Sequence, residues 1–217
     1  MGSNRSESGQ SGNKKNKNEK VTLWTRQPVS SLEQIKKDGV YRTKKQYIEE
    51  YFEDIAPYFL NLYSWFTEQA SKIVPKPDGV ELPVWCSISE EYMLRPIEGT
   101  VVYVLEVKEN EIVYFDSFKW DLVLNHLYIP KDEEDLKQYQ EELKQKGFKD
   151  SFSFIEGKYA AAFPSERKRV MDSWVRIFEI DEWHPMKVQA NIWEIREEQI
   201  REVIPYQPIH SGFCINT

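Results

Sequence analysis

The chain has 217 residues, with 29 basic and 36 acidic side chains, and its formal net charge is −7. Residues 1–20 hold five basic and two acidic residues, so residues 21–217 carry a net charge of −10. Because phosphate neutralisation needs surplus Lys and Arg, this balance argues against general nucleic-acid binding and against anionic membranes.

The first 20 residues are rich in Gly, Ser, Asn and Lys and nearly free of apolar side chains. Such a segment cannot offset the entropy of ordering, so we expect a disordered tail over 1–20. The remainder, 21–217, is long enough to bury a core without disulfides or metals. We therefore expect one domain there.

The ordered part begins with a predicted strand at 21–27 and a short predicted helix at about 30–37. Ser30 or Ser31 can cap this helix, and Gly39 suits a left-handed end. Extended chain resumes directly after this glycine.

Residues 44–73 are predicted to be helical, because apolar residues recur every three or four positions. Pro57 should start or kink the second half of this stretch. The sequence PKPDG at 75–79 ends it. An irregular edge strand is predicted at 80–88, since Pro83 cannot donate a ladder hydrogen bond.

Two β-branched and aromatic runs at 101–107 and 111–116 are joined by three residues, which predicts a hairpin at the centre of a sheet. Residues 116–127 predict a helix with Asp116 or Ser117 as its cap.

Three further segments complete the pattern. Residues 131–147 predict a highly charged, solvated and variable helix, residues 164–180 a capped helix, and residues 188–195 a last, alternating strand. Because this order is not a strict β-α-β alternation, it predicts an α+β fold with one domain. Its central sheet should be mostly antiparallel or mixed, with flanking helices.

Familiar catalytic and targeting motifs are absent. The chain has no GxGxxG, P-loop, GxSxG elbow or HExxH, no apolar run of about 18 residues and no apolar segment near its start. We expect a cytoplasmic protein without a metal or a membrane span. Cys86 and Cys214 are too few for a zinc ribbon, and free thiols are favoured over a disulfide.

Polar residues at strand ends are the first candidates for a site. Thr25 and Gln27 end the first strand beside a helix start, which is typical of a cleft, although Gln27 could instead be a cap or face solvent. Gln189, Asn191 and Trp193 share one face of the strand at 188–195. Buried amides need partners, so this face indicates either a cleft or an edge strand that faces water.

Aromatic and basic residues give further candidates. Trp24 and Trp85 could stack on a ring, and Arg95 could bind a carboxylate or phosphate, with a surface ion pair as the alternative. Asp116 is more typical of a cap than of a catalyst. No nucleophile and base can be paired, so no catalytic residue is assigned.

Several segments, taken in order, resemble one bacterial family, the domain of unknown function 3841. They are LWTRQP, DGVYR, PDGVELPVW, VYVLEV, IVYFDSFKWDLVLN and VQANIWEI, which run from about residue 21 to 204. The chain departs from the family in a shorter loop between Trp85 and Arg95 and in the Cys86-Ser87 pair. The resemblance implies a fold unit and an intracellular bacterial origin, and it implies no reaction.

The outline is also similar, more weakly, to small ADP-ribosyltransferase-like proteins. That likeness implies NAD as a ligand, with Gln27 at the NAD-binding end of the first strand and Arg42 on the second. Asn191 stands where those proteins often carry a Glu. An amide cannot stabilise a developing oxocarbenium ion as a carboxylate does, so the catalytic site would be degenerate.

These features are compatible with two main functions. The first is a non-enzymatic module that binds a small molecule or a protein, and the second is an ADP-ribosyltransferase-like, NAD-binding protein. Convergence of Gln27, Arg42, Trp85 and Asn191 on one pocket would favour the second. A hydrolase remains as a further alternative. It would need two of the carboxylates Asp116, Asp121 and Glu194 within about 5–9 Å of each other.

Overall fold

The computed structural model describes residues 19–155 and 159–208. The expected disordered tail lies outside these residues as far as position 18, and Lys20 already belongs to the first strand. Cys214 also lies outside them, whereas Cys86 is buried with a free thiol.

The described chain is α+β and forms a single domain, as the sequence predicts. Its strands are β1 (Lys20–Pro28), β2 (Val40–Tyr41), β3 (Val84–Ser87), β4 (Thr100–Lys108), β5 (Val113–Asp116), β6 (Val188–Ile192), β7 (Ile195–Arg196) and β8 (Ile200–Pro205). Its helices are α1 (Ser30–Asp38), α2 (Lys45–Phe52), α3 (Ala56–Ser71), α4 (Ser117–Leu124), α5 (Glu133–Gln145), α6 (Phe152–Ile155) and α7 (Pro164–Ser173). Short 3₁₀ turns are Glu53–Ile55, Glu109–Glu111, Trp174–Phe178 and Glu197–Gln199.

Six strands form one sheet in the order β5-β6-β3-β1-β4-β8, and every neighbouring pair is antiparallel. β1 pairs with β4 along its whole length, from Lys20 opposite Lys108 to Pro28 opposite Thr100. β2 and β7 form a separate two-stranded sheet.

Each face of the large sheet carries its own apolar core, because side chains alternate along a strand. One core joins β1, β3, β4 and β6 to α1 and to the small sheet, for example through Leu23, Ile35 and Tyr41. The other lies between β5 and the helices α3, α4, α5 and α7, where Phe115, Phe66 and Trp174 are fully buried.

The strand segments are predicted well, but their partners are not. The runs at 101–107 and 111–116 form no hairpin with each other, since β4 pairs with β1 and β8 while β5 pairs only with β6 at the sheet edge. The predicted edge strand at 80–88 is wrong as well, because β3 lies inside the sheet with Pro83 just outside it. β6 is interior, and it is not the last strand as predicted, because two further strands follow it.

Among the helices, Asp116 caps α4 by accepting from Phe118 N and Lys119 N, as predicted. Gly39 ends α1 with φ 73°, also as predicted. Neither Ser30 nor Ser31 caps α1: the N-cap is Val29, with no side-chain cap.

The long helix predicted over 44–73 is divided by the turn at Glu53–Ile55, and Pro57 lies at the start of α3. The charged helix predicted over 131–147 is not purely solvated. Tyr139 and Leu143 on α5 are buried in the larger core.

Candidate functional site

The candidate site is a gap between β1 and β3. These strands share one register pair, Trp24 opposite Ser87. Beyond it, β1 continues along β4 and β3 continues along β6. The sheet therefore splays open, with Thr25 to Gln27 on one side and Trp85 on the other.

Thr25 bridges the gap where the backbone ladder stops. Its side chain is buried, and its Oγ1 donates a hydrogen bond to the carbonyl oxygen of Trp85 at 2.7 Å. The same hydroxyl accepts from Nε2 of Gln27 at 2.8 Å. This side-chain hydrogen bond therefore connects β1 to β3 beyond their single register pair.

The gap encloses a cavity of about 260 Å³. It is lined by Trp24, Thr25, Arg26, Gln27, Thr43, Trp85, Cys86, Ser87, Tyr92, Leu94 and Gln189. Five of the sequence-predicted site residues, Trp24, Thr25, Gln27, Trp85 and Gln189, thus meet at one place. We call this cavity the cleft.

The segment between β3 and β4 supplies the outer wall of the cleft. Met93 is buried and fastens it, while Tyr92 and Leu94 on either side are 37% and 62% exposed. Arg26 Nη1 donates to the carbonyl oxygen of Arg95 at 3.1 Å, which ties this segment to β1. Its two exposed apolar side chains therefore stand beside the cleft entrance.

The chemical groups in the cleft suit binding. The described residues that line it include no Asp, Glu or His. Burial raises the pKa of the Cys86 thiol to about 12, against a smaller opposing effect from Thr25, so this thiol stays protonated at neutral pH. Among the described residues that line the cleft, none therefore supplies a carboxylate, an imidazole or a thiolate.

Trp85 has two roles. Its ring packs in the larger core, with ring centroids 4.8 Å from Phe66 and 5.1 Å from Phe115, and it also lines the cleft. By contrast, the Gln189 side chain makes no hydrogen bond to the described residues and lines the cleft from β6.

Arg42 does not reach the cleft. Its Nε and Nη2 both lie 2.9 Å from Oε2 of Glu194, whose side chain is 13% exposed. The pair connects the end of β2 to the start of β7, so this guanidinium serves the small sheet.

The other predicted site residues also lie elsewhere. Asn191 is buried on β6 and donates from Nδ2 to Val84 O at 3.3 Å, and its Oδ1 has no hydrogen-bond partner. Trp193 is buried in the larger core, with Nε1 donating to Val74 O at 2.9 Å. The side chain of Arg95 is exposed. Neither Asn191 nor Trp193 lines the cleft between β1 and β3, and β6 is not an edge strand.

The carboxylates that a hydrolase would need are not brought together. Asp116 is a buried cap with Lys187 Nζ 3.3 Å from Oδ2, Asp121 is exposed, and Glu194 is paired with Arg42 and Arg196. These three carboxylates line no common cavity among those found in the described residues.

Sequence reasoning missed part of the lining, namely Arg26, Thr43, Cys86, Ser87, Tyr92 and Leu94. No local signal distinguishes Tyr92 and Leu94, because Met93 between them has the same sequence surroundings and is buried.

Over residues 19–155 and 159–208, no His, Cys, Asp and Glu side chains group closely enough to hold a metal ion. None of the helices in these ranges has the length and apolar character that crossing a bilayer requires.

Comparison with known proteins identifies a family but no activity. No curated protein and no solved structure matches the chain. A family model described as "Domain of unknown function (DUF3841)" matches residues 22–201, which include every residue that lines the cleft. The chain therefore belongs to the DUF3841 family.

Proposed function

We propose that the protein is a non-enzymatic binding module that takes a small planar ring compound, such as a purine base or nicotinamide, into the cleft. The observation that carries this proposal is the splay between β1 and β3. A sheet normally pairs its strands, so a gap held open by a side-chain hydrogen bond provides a concave site with its own polar groups.

The lining suits a flat heterocycle. Trp24, Trp85 and Tyr92 offer aromatic surface, and stacking of a base on such a surface contributes roughly 1–3 kcal/mol. Gln27 and Gln189 offer amide groups that can both donate to and accept from the ring edge.

The size of the cleft also favours a ring over a larger molecule. Pockets that bury drug-sized ligands run from about 300 to 1,000 Å³. At about 260 Å³ the cleft falls just below this range. It therefore suits one ring system better than a whole dinucleotide.

NAD is the second candidate ligand, in line with the ADP-ribosyltransferase-like hypothesis. Arg26 favours it, because it is a cation in the cleft lining and could meet a phosphate. The pairing of Arg42 with Glu194 disfavours it.

Isothermal titration calorimetry with adenine, guanine, nicotinamide and NAD tests the proposal. We expect at least one free ring to bind. If NAD binds and no free ring does, the second candidate replaces the first. If none of the four releases heat at millimolar concentration, the small-ligand proposal is wrong.

A matched pair of variants locates the site. Gln189→Ala removes a cleft amide that supports no other described residue, and it should weaken ring binding about three- to tenfold. Gln140→Ala makes the same change on an exposed position of α5 and should leave the affinity unchanged. Equal affinities in the two variants would place the ligand elsewhere.

A further inference from the structure

A second cavity continues the cleft on the side of α2. It has a volume of about 490 Å³ and is lined by Gln27, Pro28, Ser30, Tyr41, Thr43, Tyr47, Glu50 and Tyr51. Gln27 and Thr43 line both cavities, so the two meet at these residues. We call the second cavity the extension.

One face of α2 forms the outer wall of the extension. Tyr47, Glu50 and Tyr51 follow the i, i+3, i+4 spacing that brings side chains to the same side of a helix. No residue of α2 is buried, and Tyr51 is 80% exposed. Tyr47 is half-buried and packs against the core that contains Tyr41, whereas Glu50 and Tyr51 are exposed and available for contact.

The backbone at the end of α2 is unusual. Glu53 has φ 47° and ψ −120°, a combination that L-residues rarely adopt and that costs free energy. This residue begins the short turn that separates α2 from α3.

The charges in the extension select against phosphate. Its described lining contains no Lys or Arg, and Glu50 is its one charged group. The carboxylate of Glu50 accepts a hydrogen bond from Gln46 Nε2 at 2.7 Å and forms no ion pair with any described residue. A carboxylate without a cation repels an anion, but it accepts hydrogen bonds from hydroxyl groups, as acidic residues do from a ribose 2′-OH.

We infer that the extension binds a sugar attached to the ring that the cleft holds, so that the ligand class is a nucleoside without a phosphate. Glu50 would accept from the sugar hydroxyls, and Tyr47 and Tyr51 would cover the sugar. This inference rests on the proposed function, because the ring in the cleft sets where the sugar lies.

The test compares three ligands that share one ring. Calorimetry on the full chain measures the affinities of adenine, adenosine and AMP, and of nicotinamide and its riboside and mononucleotide. For the ring that binds, we expect the nucleoside to bind about ten- to a hundredfold more tightly than the free ring. The added phosphate should remove part of this gain.

Two neighbouring positions on α2 supply the variants. Glu50→Ala should abolish most of the additional affinity that the sugar gives to the nucleoside. The affinity for the free ring should stay unchanged. Glu49→Ala removes the same charge from an exposed position that does not line the extension, and it should keep the gain. Tyr51→Ala, at a largely exposed side chain, should reduce the gain without loss of folding.

The outcomes separate the two proposals. If rings bind but nucleosides gain nothing, or if Glu50→Ala keeps the gain, the extension does not hold a sugar and only this inference fails. If the nucleotide binds more tightly than the nucleoside, the phosphate-free ligand class is wrong. If neither rings nor nucleosides bind, the proposed function fails and this inference fails with it.

Discussion

Among single residues, Thr25 connects the two sides of the cleft. It is 3% exposed, and its hydroxyl is the point where β1 and β3 remain connected after their ladder ends. The amide of Gln27 is also oriented by this hydroxyl. Replacing Thr25 should therefore disturb both the connection between β1 and β3 and the orientation of the Gln27 amide.

We expect Thr25→Val to lower the free energy of unfolding by about 1–2 kcal/mol, because it leaves the Trp85 carbonyl and the Gln27 amide without a partner. Urea denaturation measures this change. Thr22→Val is the matched control, since Thr22 is exposed on the same strand and valine is a good strand former. A similar loss in both variants would show that the hydroxyl bridge is unimportant.

The sequence predicts residues such as Thr25 and Gln27 from their position at a strand end. It could not predict the fate of Arg42 or Asn191. The position of the Arg42 side chain depends on its ion pair with Glu194, which lies 152 positions later. The burial of Asn191 depends on the register between β3 and β6. Both are long-range pairings that local patterns do not encode.

At the scale of elements, the small sheet of β2 and β7 is joined by the Arg42–Glu194 ion pair as well as by its two register pairs. Glu194 is also 3.5 Å from Arg196 Nη1, and Arg196 in turn pairs with Glu111. This chain of charges connects the small sheet to the turn between β4 and β5.

Arg42→Leu should therefore lower the free energy of unfolding by about 1–2 kcal/mol, because a largely buried carboxylate loses its closest cation. Ring binding in the cleft should be unaffected. Arg167→Leu is the control, since Arg167 is exposed on α7, and it should change neither quantity. Loss of ring binding with unchanged stability would instead make Arg42 a ligand residue.

The elements themselves follow from the sequence more closely than their partners do. The stripe in α3, the Asp116 cap and the Gly39 end are local features, and the structure confirms them. The predicted hairpin is wrong because β1 and β8 occupy the two sides of β4, and β5 pairs with β6 instead. Periodicity indicates a strand, but it does not specify which of several strands lies next to it.

Across the whole molecule, several protonated groups are buried. Desolvation raises the pKa of Cys86 and of Tyr139 to about 12, and it also raises the pKa values of Tyr41, Tyr63 and Tyr103. Each of these groups holds its proton more tightly in the folded state than in the unfolded chain.

The free energy of unfolding should therefore fall as the pH rises from about 9 toward 12, because the unfolded chain then loses protons that the folded protein retains. Below the unfolded pKa values the contribution is constant. Urea denaturation at several pH values measures this loss. Tyr139→Phe should reduce the slope and Tyr51→Phe, at an exposed ring, should not; a flat profile above pH 9 would contradict the prediction.

The position of β1 in the sheet has a consequence for how the chain folds. β1 lies between β3 and β4, yet Lys20 pairs with Lys108, and Trp24 pairs with Ser87. Contacts between residues so distant in sequence require a large loop to close first, and they slow folding. During synthesis, β1 is made before β3 and β4 and must wait for them. Until then its apolar face and backbone edge stay unpaired, so the nascent chain is most prone to aggregation in that interval.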